Sequence, residues 1–376
     1  MTRILQIIEN FDGQATETWL SEVFFELKKN NNETDWTFFC TLNKPGKFSG
    51  KIIAEGGKII CSPKPVSAFF SYIIAFRRAV KTGSYDIIHC HQDIMSAIYL
   101  VALIGLPKQK FVVHIHNTSL DLPISNRVKE FVCKKVFKLL CCLFADNIVG
   151  VSKEALKAVN GRGILSKSAS VIHCGINLLP YKFTAVSEST FRERMNIPKS
   201  SKILLFVGRM TSYKNPNYAI HVLDQIISRE RDVYAVFVGS GPFESHVEKL
   251  ASEKLLLDRV RVLGWRDDVP LIMQESDVLI WPGIENPKEG LGLGIVEAQA
   301  AGLKIVMSLN IPDEAIVIPE LVEVVPLAAG PKIWANKVIN AFDRDNINKK
   351  KAMIQIEKSS FSISKSASKI SLLYNT

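Results

Sequence analysis

The stretch Val278-Leu-Ile-Trp-Pro-Gly-Ile-Glu-Asn-Pro-Lys-Glu-Gly-Leu-Gly-Leu-Gly-Ile-Val-Glu-Ala-Gln-Ala-Ala-Gly-Leu-Lys-Ile-Val-Met307 reads as strand, loop, helix and strand in succession. Val278–Trp281 and Lys304–Met307 are short apolar runs bounded by Pro and Gly, the mark of strands buried on both faces. Two such strands joined by one helix form a βαβ unit, and so imply a parallel sheet. The loop carries Glu289, and Glu297 follows eight residues later on the helix. Backbone N–H groups of Gly290, Leu291, Gly292, Leu293 and Gly294, with the helix N-terminus behind them, can face an anion, while the two carboxylates accept hydrogen bonds from hydroxyls. An anion joined to a polyol describes a nucleotide sugar. A helix start with two exposed acids is the plainer alternative.

The same alternation runs through the chain. Strands are expected near Ile4–Ile8, Thr37–Cys40, Ile87–His91, Val112–His116, Asn147–Val151 and Ser170–His173, with helices near Glu17–Lys29, Ala68–Lys81 and Arg127–Phe144. Regularity lapses between Gly175 and Ser201, which reads as a linker. A second series follows, with strands near Lys202–Gly208, Tyr234–Gly239, Val260–Leu263, Val278–Trp281 and Lys304–Met307, and helices near Asn217–Ser228 and Glu244–Lys254. The length of 376 residues also favours two domains over one. The fold class is therefore α/β, two Rossmann-like doubly wound parallel-sheet domains facing a cleft, at residues 1–178 and 179–357. In such sheets ligands collect beyond the carboxyl ends of the strands.

Composition narrows the class. An apolar share of 47% with 22% charged residues is that of a globular protein. The start Met1–Glu9 meets an acid before a secretory signal can form, and the apolar run from Ile94 to Pro107 is short for a membrane span, so a cytoplasmic protein is expected. Seven cysteines, with no Cys-x-x-Cys pair and mostly inside apolar runs, suggest reduced thiols. The net charge of +10 is uneven, since residues 1–178 hold +8 of it. That half could meet membrane headgroups or a phosphorylated acceptor, or simply present a solvated basic face; nucleic acid is not an expected partner, since no aromatic-rich basic motif accompanies the charge.

Two further strand-end loops carry chemistry. Phe206-Val-Gly-Arg-Met-Thr-Ser-Tyr-Lys-Asn-Pro216 places Gly208, Arg209 and Lys214 where a strand gives way to a helix, and two cations there can neutralise a diphosphate leaving group. Val238-Gly-Ser-Gly-Pro-Phe-Glu244 places Gly239 at a second turn, without the third glycine of a dinucleotide fingerprint. No Gly-x-x-x-x-Gly-Lys occurs, so oxidoreductase and P-loop readings lose support.

With Asp86-Ile-Ile-His-Cys-His91, Val112-Val-His-Ile-His-Asn117, Ile148-Val-Gly-Val-Ser152, Val171-Ile-His-Cys-Gly-Ile-Asn177 and the three loops above, the chain resembles, almost end to end, the retaining glycosyltransferases of GT-B fold that include bacterial capsule, exopolysaccharide and lipopolysaccharide enzymes. The resemblance implies transfer of a hexose or N-acetylhexosamine from a nucleotide-diphosphate sugar, a UDP-sugar and without a metal, to a lipid-linked or saccharide acceptor. It implies that Glu289 holds hydroxyls of the donor sugar and Glu297 the ribose, that Arg209 and Lys214 bind the diphosphate, and that backbone near Trp265 and Arg266 meets the base. From the N-terminal domain, Gly13 would approach the phosphates and His116 the transferred sugar, and a final helix within 358–376 would cross back onto that domain. Two departures stand out. The family's paired glycine is here Gly13-Gln14, and the segment from Pro282 to Glu289 is longer than usual, which makes Glu285 a rival of Glu289. A sugar-nucleotide epimerase or a metal-dependent hydrolase on the same scaffold is the alternative.

Three other features of the sequence bear on metal and membrane binding. His89-x-His91 and His114-x-His116 put two imidazoles each on one strand face, where they could chelate a metal, yet no carboxylate cluster completes a ligand set, so no metal is expected. Asp343-Arg-Asp345 lies among charged helical residues and reads as a solvated face. Arg127–Phe144 is a basic helix with apolar residues at helical spacing, so its apolar stripe must face either the sheet or an anionic leaflet.

Overall fold

A computed structural model describes residues 1–13, 15–30, 34–122, 124–160, 168–182, 191–229 and 232–375. Gln14 and the middle of the expected linker, 183–190, lie outside the described residues. The chain divides into two compact units, one of Met1–Ile176, Glu289–Leu291 and Ile363–Thr376, the other of Asn177–Lys288 and Gly292–Ser362.

The first unit holds seven parallel strands: β1 (Thr2–Ile8), β2 (Thr34–Cys40), β3 (Lys58–Cys61), β4 (Ile87–Cys90), β5 (Lys110–Ile115), β6 (Asn147–Gly150) and β7 (Ala169–Val171), in the order β3-β2-β1-β4-β5-β6-β7. The second holds six: β8 (Lys202–Val207), β9 (Val233–Val238), β10 (Val260–Val262), β11 (Val278–Trp281), β12 (Lys304–Met307) and β13 (Val322–Val324), in the order β10-β9-β8-β11-β12-β13. All paired strands are parallel, and β11 and β12 run in register from Val278↔Lys304 to Trp281↔Met307. Each sheet is thus doubly wound, with its order reversing beside β1 and beside β8.

Two strands were not foreseen from the sequence. Both β3 and β13 are edge strands of three or four residues that are only partly buried, too short for a periodic signal. The helix Ser96–Ala102 was hidden in the same way, inside the apolar run from Ile94.

The tail illustrates how apolar content overrides composition. Serine richness predicts fraying, but Ile363–Asn375 is a helix of the first unit with Ala367, Ile370, Leu373 and Tyr374 buried. Trp19 Nε1 donates to Ser366 Oγ at 2.9 Å and Lys110 Nζ to the Leu373 carbonyl at 2.6 Å.

The helix Arg127–Phe144 behaves otherwise. Asn126 caps it, accepting from the Lys129 N–H at 3.0 Å, but among its residues only Cys141 and Cys142 are buried. Val128, Phe131, Val132, Val136, Leu139 and Leu143, which share one face at helical spacing, are all exposed. Of the two fates open to that stripe, packing on the sheet is not the one observed.

Candidate functional site

In the second unit the loops after β8 and β11 flank the point where the strand order reverses. Asn215 Nδ2 donates to the Pro282 carbonyl at 3.1 Å, and the Ile284 N–H to the Tyr213 carbonyl at 2.9 Å, so the two loops are tied together. Lys214 Nζ lies 4.3 Å from the centre of the Trp281 ring, a cation–π contact that fixes the ammonium at the end of β11. Arg209 is exposed on the same loop.

Behind them the ends of β8, β9 and β10 are laced by backbone. Gly208 N–H donates to the Val238 carbonyl at 2.9 Å, and Gly239 N–H to the Gly264 carbonyl at 2.7 Å. Gly239 has φ of +122°, and a Cβ there would fall 2.1 Å from the Gly208 carbonyl oxygen, so only glycine permits the approach. Next along, Trp265 is 47% exposed, while the Arg266 guanidinium is held bidentate by Asp268, at 2.8 and 2.6 Å. Its side chain is engaged locally, which leaves backbone and the Trp265 ring as the surface offered there.

The glycine-rich loop opens the helix Leu293–Ala300 as the sequence suggested. Gly292, at φ +82°, occupies the N-cap position. Glu297 is half-buried on this helix, and desolvation pushes its carboxyl up to about 7. Glu289 is 8% exposed, and with Gly290 and Leu291 it groups with the first unit. The rival Glu285 accepts the Leu327 N–H at 2.8 Å, which gives it a structural task in the second unit.

In the first unit Gly13 follows β1 on a loop tied to the 45–48 segment, with Phe11 N–H donating to the Pro45 carbonyl and Phe48 N–H to the Phe11 carbonyl, both at 2.9 Å. Beyond the ends of β1, β4 and β5 lies a cavity of about 220 Å³ lined by Glu9, Glu17, His91, Asp93, His116 and Asn117 among others. Asp93 shapes its floor, since its carboxylate accepts from the His116 N–H at 2.7 Å and from Asn117 Nδ2 at 2.8 Å. Among the described residues no lysine or arginine lines this cavity. Sequence reasoning missed Glu17, which is 6% exposed, has Oε2 without a hydrogen-bond partner, and is pushed up to about 7 by burial. An acid in the first turn of an amphipathic helix reads as a solvated N-terminal charge, and only the closure of the cavity over it shows otherwise.

The four histidines gather beside the cavity. His89 and His114 are fully buried, while His91 and His116 line it. His89 Nε2 lies 3.1 Å from His114 Nδ1, and His91 Nδ1 lies 3.0 Å from His116 Nε2. Burial drives all four far toward the neutral form, His89 and His116 down to about 3. His89, His91 and His114 bring one nitrogen each within 4.8 Å of one another, and among the described residues no carboxylate joins them. Asp343 and Asp345 are exposed.

Comparison with known proteins finds relatives over most of the chain. Residues 26–178 match the model of Glycosyltransferase Family 4, and residues 187–324 that of Glycosyl transferases group 1. EpsF of Bacillus subtilis (strain 168), provisionally named a glycosyltransferase, is 24% identical over 344 residues, 90% of this chain and 87% of that protein. The UDP-Gal:alpha-D-GlcNAc-diphosphoundecaprenol alpha-1,3-galactosyltransferase of Escherichia coli is 27% identical over 250 residues, 63% of this chain and 61% of its own. Among solved structures, Anabaena HepE in complex with UDP superposes with a TM-score of 0.79 at 16% identity, both chains being covered in full, a likeness of fold. Two family regions in chain order on two parallel-sheet units, with the fold of a solved GT-B enzyme over the whole length, establish that this chain belongs to the GT-B-fold glycosyltransferases.

Proposed function

We propose that the chain transfers a hexosyl or N-acetylhexosaminyl group, with retention and without a metal, from a UDP-sugar to a lipid-linked or saccharide acceptor of a bacterial surface polysaccharide. The observation that carries this reading is the convergence at the reversal point of the second sheet: Lys214 seated over Trp281, Arg209 on the same loop, and Glu297 on the helix opened by the glycine loop. A departing nucleoside diphosphate would find two cations there, one of them held against an indole ring, which is the electrostatic work a metal ion otherwise does. Glu297 would accept the ribose hydroxyls, Glu289 those of the donor sugar, and the backbone beside Trp265 the base. From the first unit His116 would meet the sugar and Gly13 the phosphates. The naming of a UDP-galactose donor and a diphosphoundecaprenol acceptor in the Escherichia coli relative, and UDP in the HepE crystal, support UDP and a lipid carrier.

Contact with membrane belongs to the same proposal. No helix among the described residues is long and apolar enough to cross a bilayer. Yet the neighbouring helices Phe69–Gly83, Ser96–Ala102 and Arg127–Phe144 leave Phe70 82%, Ile74 67% and Leu143 61% exposed, amid Arg78, Lys81, Lys129 and Lys135. Apolar residues inserted shallowly, with lysines and arginines at headgroup level, suit an anionic leaflet.

The test uses purified enzyme, UDP-sugar and a lipid-diphosphate acceptor, with chelator present. Arg209→Ala should lower kcat about 100-fold, the scale of losing one positioned charge. Turnover like wild type by that variant, dependence on added metal, or inverted anomeric configuration of the product by NMR would each remove the corresponding part of the proposal.

A further inference from the structure

The histidine cluster carries an inference about proton placement. Four neutral imidazoles each hold one proton on one of two nitrogens, so every hydrogen bond between them has a direction. Gln6, fully buried on β1, meets both arms of the cluster: its Nε2 donates to the Tyr374 hydroxyl at 2.8 Å, and its Oε1 lies 3.0 Å from His91 Nε2. A carbonyl oxygen only accepts, so His91 carries its proton on Nε2 and its Nδ1 is bare. The partner of that bare nitrogen, His116 Nε2 at 3.0 Å, must then be the donor. On the other arm the Tyr374 oxygen accepts from Gln6 and gives its one proton to His89 Nδ1 at 2.7 Å. His89 is thereby protonated on Nε2 and donates to His114 Nδ1. The last proton falls on His114 Nε2, which has no hydrogen-bond partner. The His114 ring as a whole stands T-shaped to the Trp19 indole, centroids 5.3 Å apart at 77°.

We infer that Gln6 is a positioning residue whose amide sets the tautomer of His116, placing its proton on Nε2 and leaving Nδ1 as a hydrogen-bond acceptor on a ring that lines the first-unit cavity. Tyr374, brought in by the C-terminal helix, sets the other arm. A substrate hydroxyl near His116 would therefore meet an acceptor and not a donor. That last statement rests on the proposed role of His116, whereas the tautomer assignment does not. Reversing the Gln6 amide would reverse every proton in both arms, and would leave a bare nitrogen of His114 with no donor. The same directed network accounts for one lone pair on each of His89, His91 and His114, and so competes with a metal for them.

Two measurements separate these statements. Long-range ¹H–¹⁵N correlation spectra of histidine-labelled full-length protein should show His91 and His116 both protonated on Nε2. Gln6→Leu should leave His116 as a mixture of tautomers and lower kcat about 10-fold, with the KM for donor changed less than twofold. Tyr374→Phe, which keeps the packed ring, should alter the His89 and His114 signals and leave those of His91 and His116 in place. Nδ1 protonation of His116 in the wild type, or an unchanged tautomer in a folded Gln6→Leu variant, overturns the inference. So does one equivalent of zinc bound by the purified protein and displacing these signals. Tautomers that shift as expected while kcat stays unchanged would retain the network and overturn the role of His116 toward substrate.

Discussion

Glu297 offers the sharpest test of the donor site, because its environment and its proposed task pull its proton in opposite directions. Desolvation holds the carboxyl up to about 7 in the free protein, against an ordinary 4.5. Two ribose hydroxyls would donate to the ionised form, so the nucleotide sugar should bind the carboxylate and expel the proton. Affinity must then rise with pH until the free carboxyl is ionised, and level off above about pH 8. At about pH 5.5 roughly 3% of the group is ionised, which weakens binding about 30-fold, or ~2 kcal/mol, relative to the plateau. Calorimetric titration with a UDP-sugar in the absence of acceptor is the assay, since its diphosphate diester has no group titrating in this window. The other groups shifted by burial do not mimic the effect: His116 sits near 3, and Glu17, though also near 7, remains in the Glu297→Gln variant. That variant should bind about 10- to 100-fold more weakly than the wild-type plateau, as loss of hydrogen bonds to a charged group does, and with a flattened pH dependence. A wild-type affinity that ignores pH, or a slope that survives in Glu297→Gln, would refute the reasoning.

Further expectations follow from the same physical terms. Glu17 has its folded pKa raised to about 7, so its contribution to stability is whole below about 4.5 and is lost as pH rises toward 7; Glu17→Gln should therefore raise the melting temperature more at about pH 8 than at about pH 5, and equal shifts would show that the carboxyl is not held this way. The histidines have folded pKa values pushed far below 6.5, so their contribution is present above 6.5 and is lost as pH falls, with a slope approaching ~1.4 kcal/mol per pH unit for each proton taken up only on unfolding; denaturant titrations between about pH 6.5 and 4 measure it, and a slope of less than one proton would count against four neutral rings. Sedimentation with vesicles containing about one-third anionic lipid should carry the protein down, the double variant Phe131→Ser, Leu139→Ser should bind at least about 10-fold more weakly with no loss of stability, and equal binding to uncharged vesicles would contradict the role given to the lysines.

How much was legible in the sequence depended on whether a signal was local. The central strands announced themselves because burial on both faces demands unbroken apolar runs, and β11 and β12 fall at the residues read from Val278–Trp281 and Lys304–Met307. The edge strands β3 and β13, with three or four residues and one neighbour each, carry no such demand. At the site, the glycine loops were readable because left-handed φ and close backbone approach leave glycine little competition, as at Gly239. Glu17 and Gln6 were not readable. Neither residue type at its position is unusual, and their meaning lies in partners far along the chain: Gln6 meets Tyr374 and His91, and the acid of Glu17 is enclosed by loops following β4 and β5.

The charge asymmetry shows the same contrast between amount and placement. An excess of +8 in the first half suggested an anionic ligand, and a phosphorylated acceptor was one candidate. The cavity beyond β1, β4 and β5 speaks against holding a phosphate there, because Glu9, Glu17, Asp93 and Asp121 line it and no cationic side chain does so among the described residues. Carboxylates and neutral imidazoles suit hydroxyl groups, which donate to both. Several of the lysines and arginines instead lie on the outer helices that expose Phe70, Ile74, Phe131 and Leu139. On the proposed function, positive charge mixed with apolar residues on a surface, and negative charge around a small cavity, would divide an acceptor by its chemistry: the saccharide end would meet the cavity, while anionic headgroups or a lipid diphosphate would meet the outer face. A free sugar phosphate would satisfy neither place alone, so the proposed function, with a glycolipid acceptor presented at a membrane surface, would use both places where a soluble phosphorylated acceptor would use neither.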